Sequence, residues 1–375
     1  MSTYTGPLVL VDGLNCLIRN YCVSTYLDSD GERAGGTTGM INSVRKMIND
    51  FGASSVIVVW DGEGGSQRRK SIYKDYKAGR TVRLNKRDDD MEESPEEQLA
   101  NLRKQTANAK EYLTLLGISQ VRCDGCEADD IIAYLTGKMD HEGGCVIVST
   151  DQDMLQLIRV GSPEVSEVRV YSPVKKVMYD RQRFISDYSG VLPENFRLVK
   201  ALTGDSSDNI DGVKGWGVKT IVKSFPFLTE RRVTADEIME SAKSLKGVAG
   251  QRLIAEESRF RENLVLMDLS EPMVSATAAR QARDSLLHDN ACKEVEFRVR
   301  ILRDGVSFGG DNLINPFREM VMRRRRMFKQ HEKRVHDATC IEAEVFGTIA
   351  EVVALDIDKQ VLQELQTTID GADKQ

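Results

Sequence analysis

Residues 8–13 read Leu8-Val9-Leu10-Val11-Asp12-Gly13, and the same order returns at Val56-Ile57-Val58-Val59-Trp60-Asp61-Gly62 and at Val146-Ile147-Val148-Ser149-Thr150-Asp151. Unbroken runs of branched apolar residues are the mark of strands covered on both faces, which means a parallel sheet. Helical patterns lie between them, from about Thr38 to Asp50, about Pro95 to Leu116, and Ala128 to about His141. This alternation predicts an α/β fold with a mostly parallel sheet flanked by helices. Val168–Tyr171 and Val177–Tyr179, joined through Lys175-Lys176, predict a hairpin at the sheet edge. Ligands of open α/β sheets bind outside the carboxyl ends of the strands. Strands running the same way therefore bring Asp12, Asp61 and Asp151 to one edge. A single Asp-Gly is an ordinary turn; its repetition at one structural position points to a site.

Further carboxylates join that edge. Glu127, Asp129 and Asp130 open the third helix, Asp153 follows Asp151, and Asp205 and Asp208 stand in Gly204-Asp205-Ser206-Ser207-Asp208. Capping a helix needs one acid, and close like charges raise each other's pKa. A group this dense stays ionised at low cost when cations sit among its members. Oxygen ligands without His or Cys point to Mg²⁺ or Mn²⁺. Two such ions about 4 Å apart can serve an in-line displacement at phosphorus without any protein nucleophile. Beyond lies Gly212-Val213-Lys214-Gly215-Trp216-Gly217-Val218-Lys219, a tight turn whose N–H groups and lysines suit a phosphate backbone.

The 375 residues have room for two or three domains, and 41% hydrophobic with 29% charged residues is ordinary for a soluble protein. No apolar run approaches the ~18 residues of a membrane span. The N-terminus lacks the basic-then-apolar order of a signal peptide, so a cytoplasmic location is expected. Seven cysteines give no disulfide framework. Cys123 and Cys126 have metal-ligand spacing, but no second pair completes a zinc site, and they read as small residues flanking a turn. The net charge of −6 conceals two basic stretches: residues 66–87 hold nine Lys or Arg against Asp75, and residues 318–334 hold eight against Glu319 and Glu332.

Taken together, Val11-Asp12-Gly13 with Arg19, the basic run from Arg69 to Arg80, Glu127–Asp130 with Thr150–Asp153, and Ala201–Thr220 resemble the 5′ nuclease (flap endonuclease) family. Its members include the 5′-to-3′ exonuclease domain of bacterial DNA polymerase I and free-standing phage enzymes. The resemblance covers roughly residues 5 to 270. It implies a PIN-like core and divalent-metal hydrolysis of DNA at 5′ flaps, 5′ ends or RNA primers, including RNA–DNA hybrids. It also implies metal roles for Asp12, Asp61, Glu127, Asp129, Asp130, Asp151, Asp153, Asp205 and Asp208. Lys77 and Arg80 would steady the scissile phosphate. Arg19, Arg69, Tyr76, Gly212, Lys214, Gly215, Gly217 and Lys219 would meet DNA, the last five in a helix-hairpin-helix that takes K⁺.

The expected organisation is a nuclease core over 1–185 with an arch insertion at about 81–97. A helical region follows over 186–290, its helix-hairpin-helix at about 198–223, and then a C-terminal extension over 291–375. The extension is expected to open with a β-like run, Val295 to Leu302, and to continue as a basic helix containing Arg323–Arg326, Lys329, Lys333 and Arg334. That helix suits DNA backbone or a replication protein partner of a monomeric enzyme. No polymerase domain follows, which suggests a free-standing phage or plasmid type. Three other readings compete. A catalytically silent DNA-binding relative gains nothing from acids near phosphate. A phosphatase using Asp12 as nucleophile would carry a second Asp where Leu14 stands. A small PIN-type ribonuclease lacks the hairpin and the arch.

Overall fold

Branched side chains favour the extended backbone, and Leu8–Asp12 forms strand β1 at the centre of the sheet. The computed structural model describes residues 6–79, 93–138, 141–162, 164–286, 290–310, 312–327 and 329. After β1 come α1 (Gly13–Val23), α2 (Gly35–Phe51), β2 (Ser55–Trp60), α3 (Gln67–Ile72), α4 (Pro95–Leu115), β3 (Ser119–Arg122), α5 (Ala128–Lys138) and β4 (Cys145–Val148). The hairpin β5 (Val168–Ser172) and β6 (Val177–Tyr179) completes a sheet of order β3-β2-β1-β4-β5-β6. Every pairing is parallel except β5 with β6.

The period of two along each strand divides the core. Leu8, Leu10, Ile57, Val59 and Ile147 face one apolar layer, in which Ile131 and Ile132 of α5 pack. Val9, Val11, Val56, Val58 and Val148 face the other, in which α1, α2 and α4 contribute Leu17, Ile41 and Tyr112. The strand order reverses between β1 and β4, with β2 on one side of β1 and β4 on the other. Such a switch point opens a crevice at the carboxyl ends of its strands.

Beyond β6 the first layer continues into α6 (Arg181–Asp187), α7 (Phe196–Thr203), the two-residue strands β7 (Gly204–Asp205) and β8 (Ile210–Asp211), and α8 (Val218–Ser224). Then come α9 (Ala235–Ser244), α10 (Val248–Ala255), α11 (Glu257–Met267) and α12 (Ala276–Leu286). Phe225, Leu253, Phe260 and Ala278 share the same buried layer as Leu8 and Ile147.

Three expectations change. Ser119–Arg122, not anticipated, is an edge strand: four residues long with Val121 its one apolar side chain, it carries too few apolar positions to announce itself. Val295–Leu302 is not β but lies within helix α13 (Glu294–Asp304). Its Val-Glu-Phe-Arg-Val-Arg alternation suits a strand, yet Phe297 and Ile301, four apart, are the residues that pack on the core. Val295, Val299 and Leu302 are exposed, and the i,i+4 pairs Arg298–Glu294 and Arg300–Asp304 secure the helix. Residues 93–97 of the expected arch form the capped start of α4, where Ser94 and Glu97 make a reciprocal capping box ahead of Pro95. Residues 81–92 lie outside the described residues.

The chain divides into two compact units, Met1–Val321 and Met322–Gln375. In the second, residues 322–327 and 329 are helical and carry Arg323–Arg326 and Lys329, while Lys333 and Arg334 lie outside the described residues. No described helix is long and apolar enough to cross a membrane.

Candidate metal centre

The carboxylates that end the strands are fixed by local backbone bonds. Asp12 caps α1, one oxygen accepting the Asn15 N–H at 3.1 Å and the other the Ser149 hydroxyl at 3.2 Å. Asp61, past β2, accepts the N–H of Ala128 at 2.9 Å, so it caps the helix that carries the next acids. Asp151 accepts the N–H of Asp153 at 2.8 Å. Across the switch point Asn15 and Thr150 bond reciprocally, amide to hydroxyl at 2.6 Å and N–H to amide oxygen at 3.1 Å. Burial pushes the Asp12 carboxyl up to about 7, and the charges of Asp61 and Asp151 add to the rise against the bonds from Asn15 and Ser149.

At the start of α5, Glu127, Asp129 and Asp130 offer oxygens within 4.8 Å of one another. Arg69 of α3, 2% exposed, holds this group together. Its guanidinium grips both oxygens of Asp130 at 2.6 and 3.0 Å, reaches Glu127 at 2.6 Å, and donates through Nε to the Leu266 carbonyl at 2.9 Å. Asp130 also accepts the N–H of Met273 at 2.9 Å. Burial raises Asp129 well above the carboxylate range, with Asp130 and Glu127 adding to it. Burial opposes the charge of Glu127 too, but Lys77 and Arg69 outweigh it and hold that carboxyl low.

The same geometry corrects two expectations. Arg69 and Tyr76 were expected to meet DNA, yet both are 2% exposed. The Tyr76 hydroxyl donates to Glu127 at 2.9 Å. In the basic run the neighbours Arg68 and Lys70 face solvent, and Arg69 is turned inward because buried acids await it. Lys77, expected to steady the scissile phosphate, lies beside these acids. Its backbone takes the left-handed conformation, φ 54°, and its N–H bonds the Asp208 carbonyl at 2.9 Å. Its ammonium lies 2.6 Å from Glu127 and 4.0 Å from Asp208. Lys77 thus stands between the two acidic groups. Arg80 lies outside the described residues.

The second group comprises Asp151, Asp153, Asp205 and Asp208, beside a cavity of about 540 Å³ lined in part by Asn15, Asp151, Lys200 and Asp205. Lys200 of α7 was missed in the sequence. Flanked by Val199 and Ala201 in an apolar stretch it carries no local signal of a role, yet its ammonium lies 2.5 Å from Asp205 and 3.0 Å from Asp153. Burial pushes Asp153 up to about 7, and Asp151 adds to the rise despite Lys200. Asp153 is buried and the other three are half-buried, and hard oxygen donors of this kind suit divalent cations.

In the glycine-rich turn between α7 and α8, Gly212 packs so closely that a Cβ would lie 2.3 Å from the Thr203 carbonyl carbon and oxygen. Gly215 is left-handed at φ 93°. Trp216 is buried, stacked on Phe225 with ring centroids 5.1 Å apart. Lys214, Gly215, Gly217 and Lys219 are exposed around the turn. Arg19, on α1, is half-buried and reaches the Ser43 hydroxyl at 3.4 Å. Cys123 and Cys126 are buried, and their thiols donate to the Ala278 and Met273 carbonyls. Burial pushes Cys123 up to about 11, which suits a packing role.

Residues 7–189 match the family described as 5′-3′ exonuclease, N-terminal resolvase-like domain. A 5′-3′ exonuclease of Bacillus subtilis (strain 168) is 30% identical over 253 residues, covering 66% of this chain and 77% of that protein. One from Buchnera aphidicola subsp. Schizaphis graminum is 32% identical over 223 residues, 58% of this chain and 69% of its own length. A thermostable DNA polymerase I of Thermus thermophilus is 31% identical over 277 residues, but the match spans only 30% of that protein. In fold the chain is similar to the bacteriophage T5 flap endonuclease solved with DNA and metal ions, with a TM-score of 0.56 and 22% identity over 80% of this chain and 99% of that one.

Proposed function

The chain belongs to the 5′-3′ exonuclease family, metal-dependent hydrolases of DNA, and from that premise we propose that it cuts phosphodiesters at 5′ ends and at 5′ flaps of branched DNA in replication or repair. The observation that carries the reading is the meeting of two acidic groups at one sheet edge with Lys77 between them. Asp12, Asp61, Glu127 and Asp129 would hold one divalent ion, Mg²⁺ or Mn²⁺, with Asp130 completing the group through Arg69. Asp151, Asp153, Asp205 and Asp208 would hold another. When bound, such ions activate the attacking water and neutralise the leaving oxygen.

The protein's own part is placement and charge. Lys77, pinned by its bonds to Glu127 and to the Asp208 carbonyl, would present its ammonium to the scissile phosphate. Arg80 would assist it from the foot of the arch. The turn from Gly212 to Gly217, with Lys214 and Lys219, would hold the downstream duplex as a helix-hairpin-helix that takes K⁺, and Arg19 would meet the DNA backbone. These contacts reach phosphates and carry no sequence information, which suits recognition of DNA shape.

Substrates with a 5′ flap, a 3′ flap and a blunt end, each labelled at both termini, test the reading in Mg²⁺. Release of 5′ products alone, abolished by EDTA, is expected. Equal cutting of 3′ flaps would refute it.

A further inference from the structure

Lys200 stands among carboxylates as a cation would. It lies on a helix whose neighbours Phe196, Leu198, Val199, Ala201 and Leu202 are all buried, and it is itself 8% exposed. Its ammonium touches Asp205 Oδ2 at 2.5 Å and Asp153 Oδ1 at 3.0 Å. Arg69 offers the contrast: its planar fork is locked by Asp130, Glu127 and the Leu266 carbonyl, and none of these bonds can be given up singly. Lysine is a point charge on a flexible four-carbon stem, and beside Lys200 lies a cavity of about 540 Å³.

We propose that Lys200 is a resident counter-ion of the second carboxylate group: its ammonium bridges Asp153 and Asp205 until a divalent ion replaces it, and then withdraws into the adjoining cavity. The proposal rests on the reading that Asp153 and Asp205 hold metal. Its physical basis is that an ammonium and a dication on the same two carboxylates repel each other at a few ångströms in a partly desolvated site. The lysine therefore keeps the apo site from assembling unpaired charge, and it lowers the affinity of that site for metal. Lys200 acts here as a positioning residue, working through the carboxylates.

Mn²⁺ titration followed by electron paramagnetic resonance, on wild type, Lys200→Met and Lys200→Arg, tests this without reference to turnover. The weaker class of sites should tighten about tenfold or more in Lys200→Met and weaken in Lys200→Arg, whose fork is harder to displace. Asp153→Asn should abolish that class. A second readout uses the native chain and covers the case of a variant that fails to fold. With ¹⁵N-lysine labelling, the hydrogen-bonded Lys200 ammonium signal should be lost as Mg²⁺ is added. Mn²⁺ binding that needs Asp153, with equal affinity in all three proteins and an unmoved Lys200 signal, overturns the proposal and leaves the metal reading intact. Absence of Mn²⁺ binding dependent on Asp153 overturns both.

Discussion

At the start of α5 a buried arginine bonds two carboxylates and lies 3.8 Å from a third, Asp129, whereas beyond β4 a single lysine holds two. Arg69 makes bidentate contact with Asp130, bonds Glu127, and ties both to α11 through the Leu266 carbonyl. Lys200 makes two ammonium contacts beside an open cavity. The first arrangement fixes geometry, because a guanidinium fork admits few alternative poses. The second fixes charge more than geometry. The contrast teaches that acidic groups of similar composition differ in rigidity according to which cation the chain supplies.

Replacing the two cations separates the groups most strongly. Arg69→Met leaves the buried Asp130 carboxylate without its ion-pair partner, while Glu127 keeps Lys77, and should destabilise the metal-free protein by about 3–5 kcal/mol. Lys77→Ala, acting between the groups, should slow single-turnover cleavage on the order of 100-fold with little change in duplex affinity, because its charge serves the transition state. An effect on affinity alone would make Lys77 an ordinary backbone contact. Lys200→Met should destabilise the metal-free protein by only about 1.5–3 kcal/mol, and saturating Mg²⁺ should restore the loss. Urea unfolding in EDTA and in Mg²⁺ measures both stability effects. If Lys200→Met proves as damaging as Arg69→Met and Mg²⁺ brings no recovery, the two groups are held alike.

The smallest effect is on pH. Asp12 and Asp153 rise from 3.8 to about 7 on folding, and Asp129 moves in the same direction. A carboxyl whose folded pKa is raised stabilises the fold below its unfolded value, and that contribution is lost as pH rises to the folded value. Glu127 and Asp205 are lowered, so their contribution is lost only as pH falls below their usual range. Between about pH 4.5 and 7 the raised groups therefore govern, and metal-free stability should fall as pH rises. Mg²⁺ should flatten the slope. Stability in EDTA that climbs across this window would contradict the assignment.

Much of this was legible in the residues. Apolar runs ending in Asp12, Asp61 and near Asp151 gave away the parallel sheet and the edge where these carboxylates sit, because strand period and strand-end placement are local properties. What the pattern hid depended on partners far away in the chain. Arg69 and Tyr76 sit in a run of solvent-facing basic residues, and only the buried Glu127 and Asp130, about sixty residues on, draw them inward. Lys200 lies in an apolar helix with no local mark of a role, and only the folded chain brings it to Asp153 and Asp205. In α13 two periods fitted the same residues, and contact with the core, at Phe297 and Ile301, chose the helical one.

The claim that this edge is a divalent-metal centre for phosphodiester hydrolysis is tested most directly at Asp129. Of the three acids at the start of α5 it has the most exposed side chain, 20% against 6% for Glu127 and 2% for Asp130, so it is the one most open to an ion. Single-turnover cleavage of a 5′-flap substrate in Mg²⁺, with binding measured separately in Ca²⁺, compares wild type with Asp129→Asn. The account predicts a loss of cleavage on the order of 100-fold or more with flap binding retained or tightened, since a negative charge near phosphate has gone. Cleavage by Asp129→Asn at the wild-type rate would contradict it.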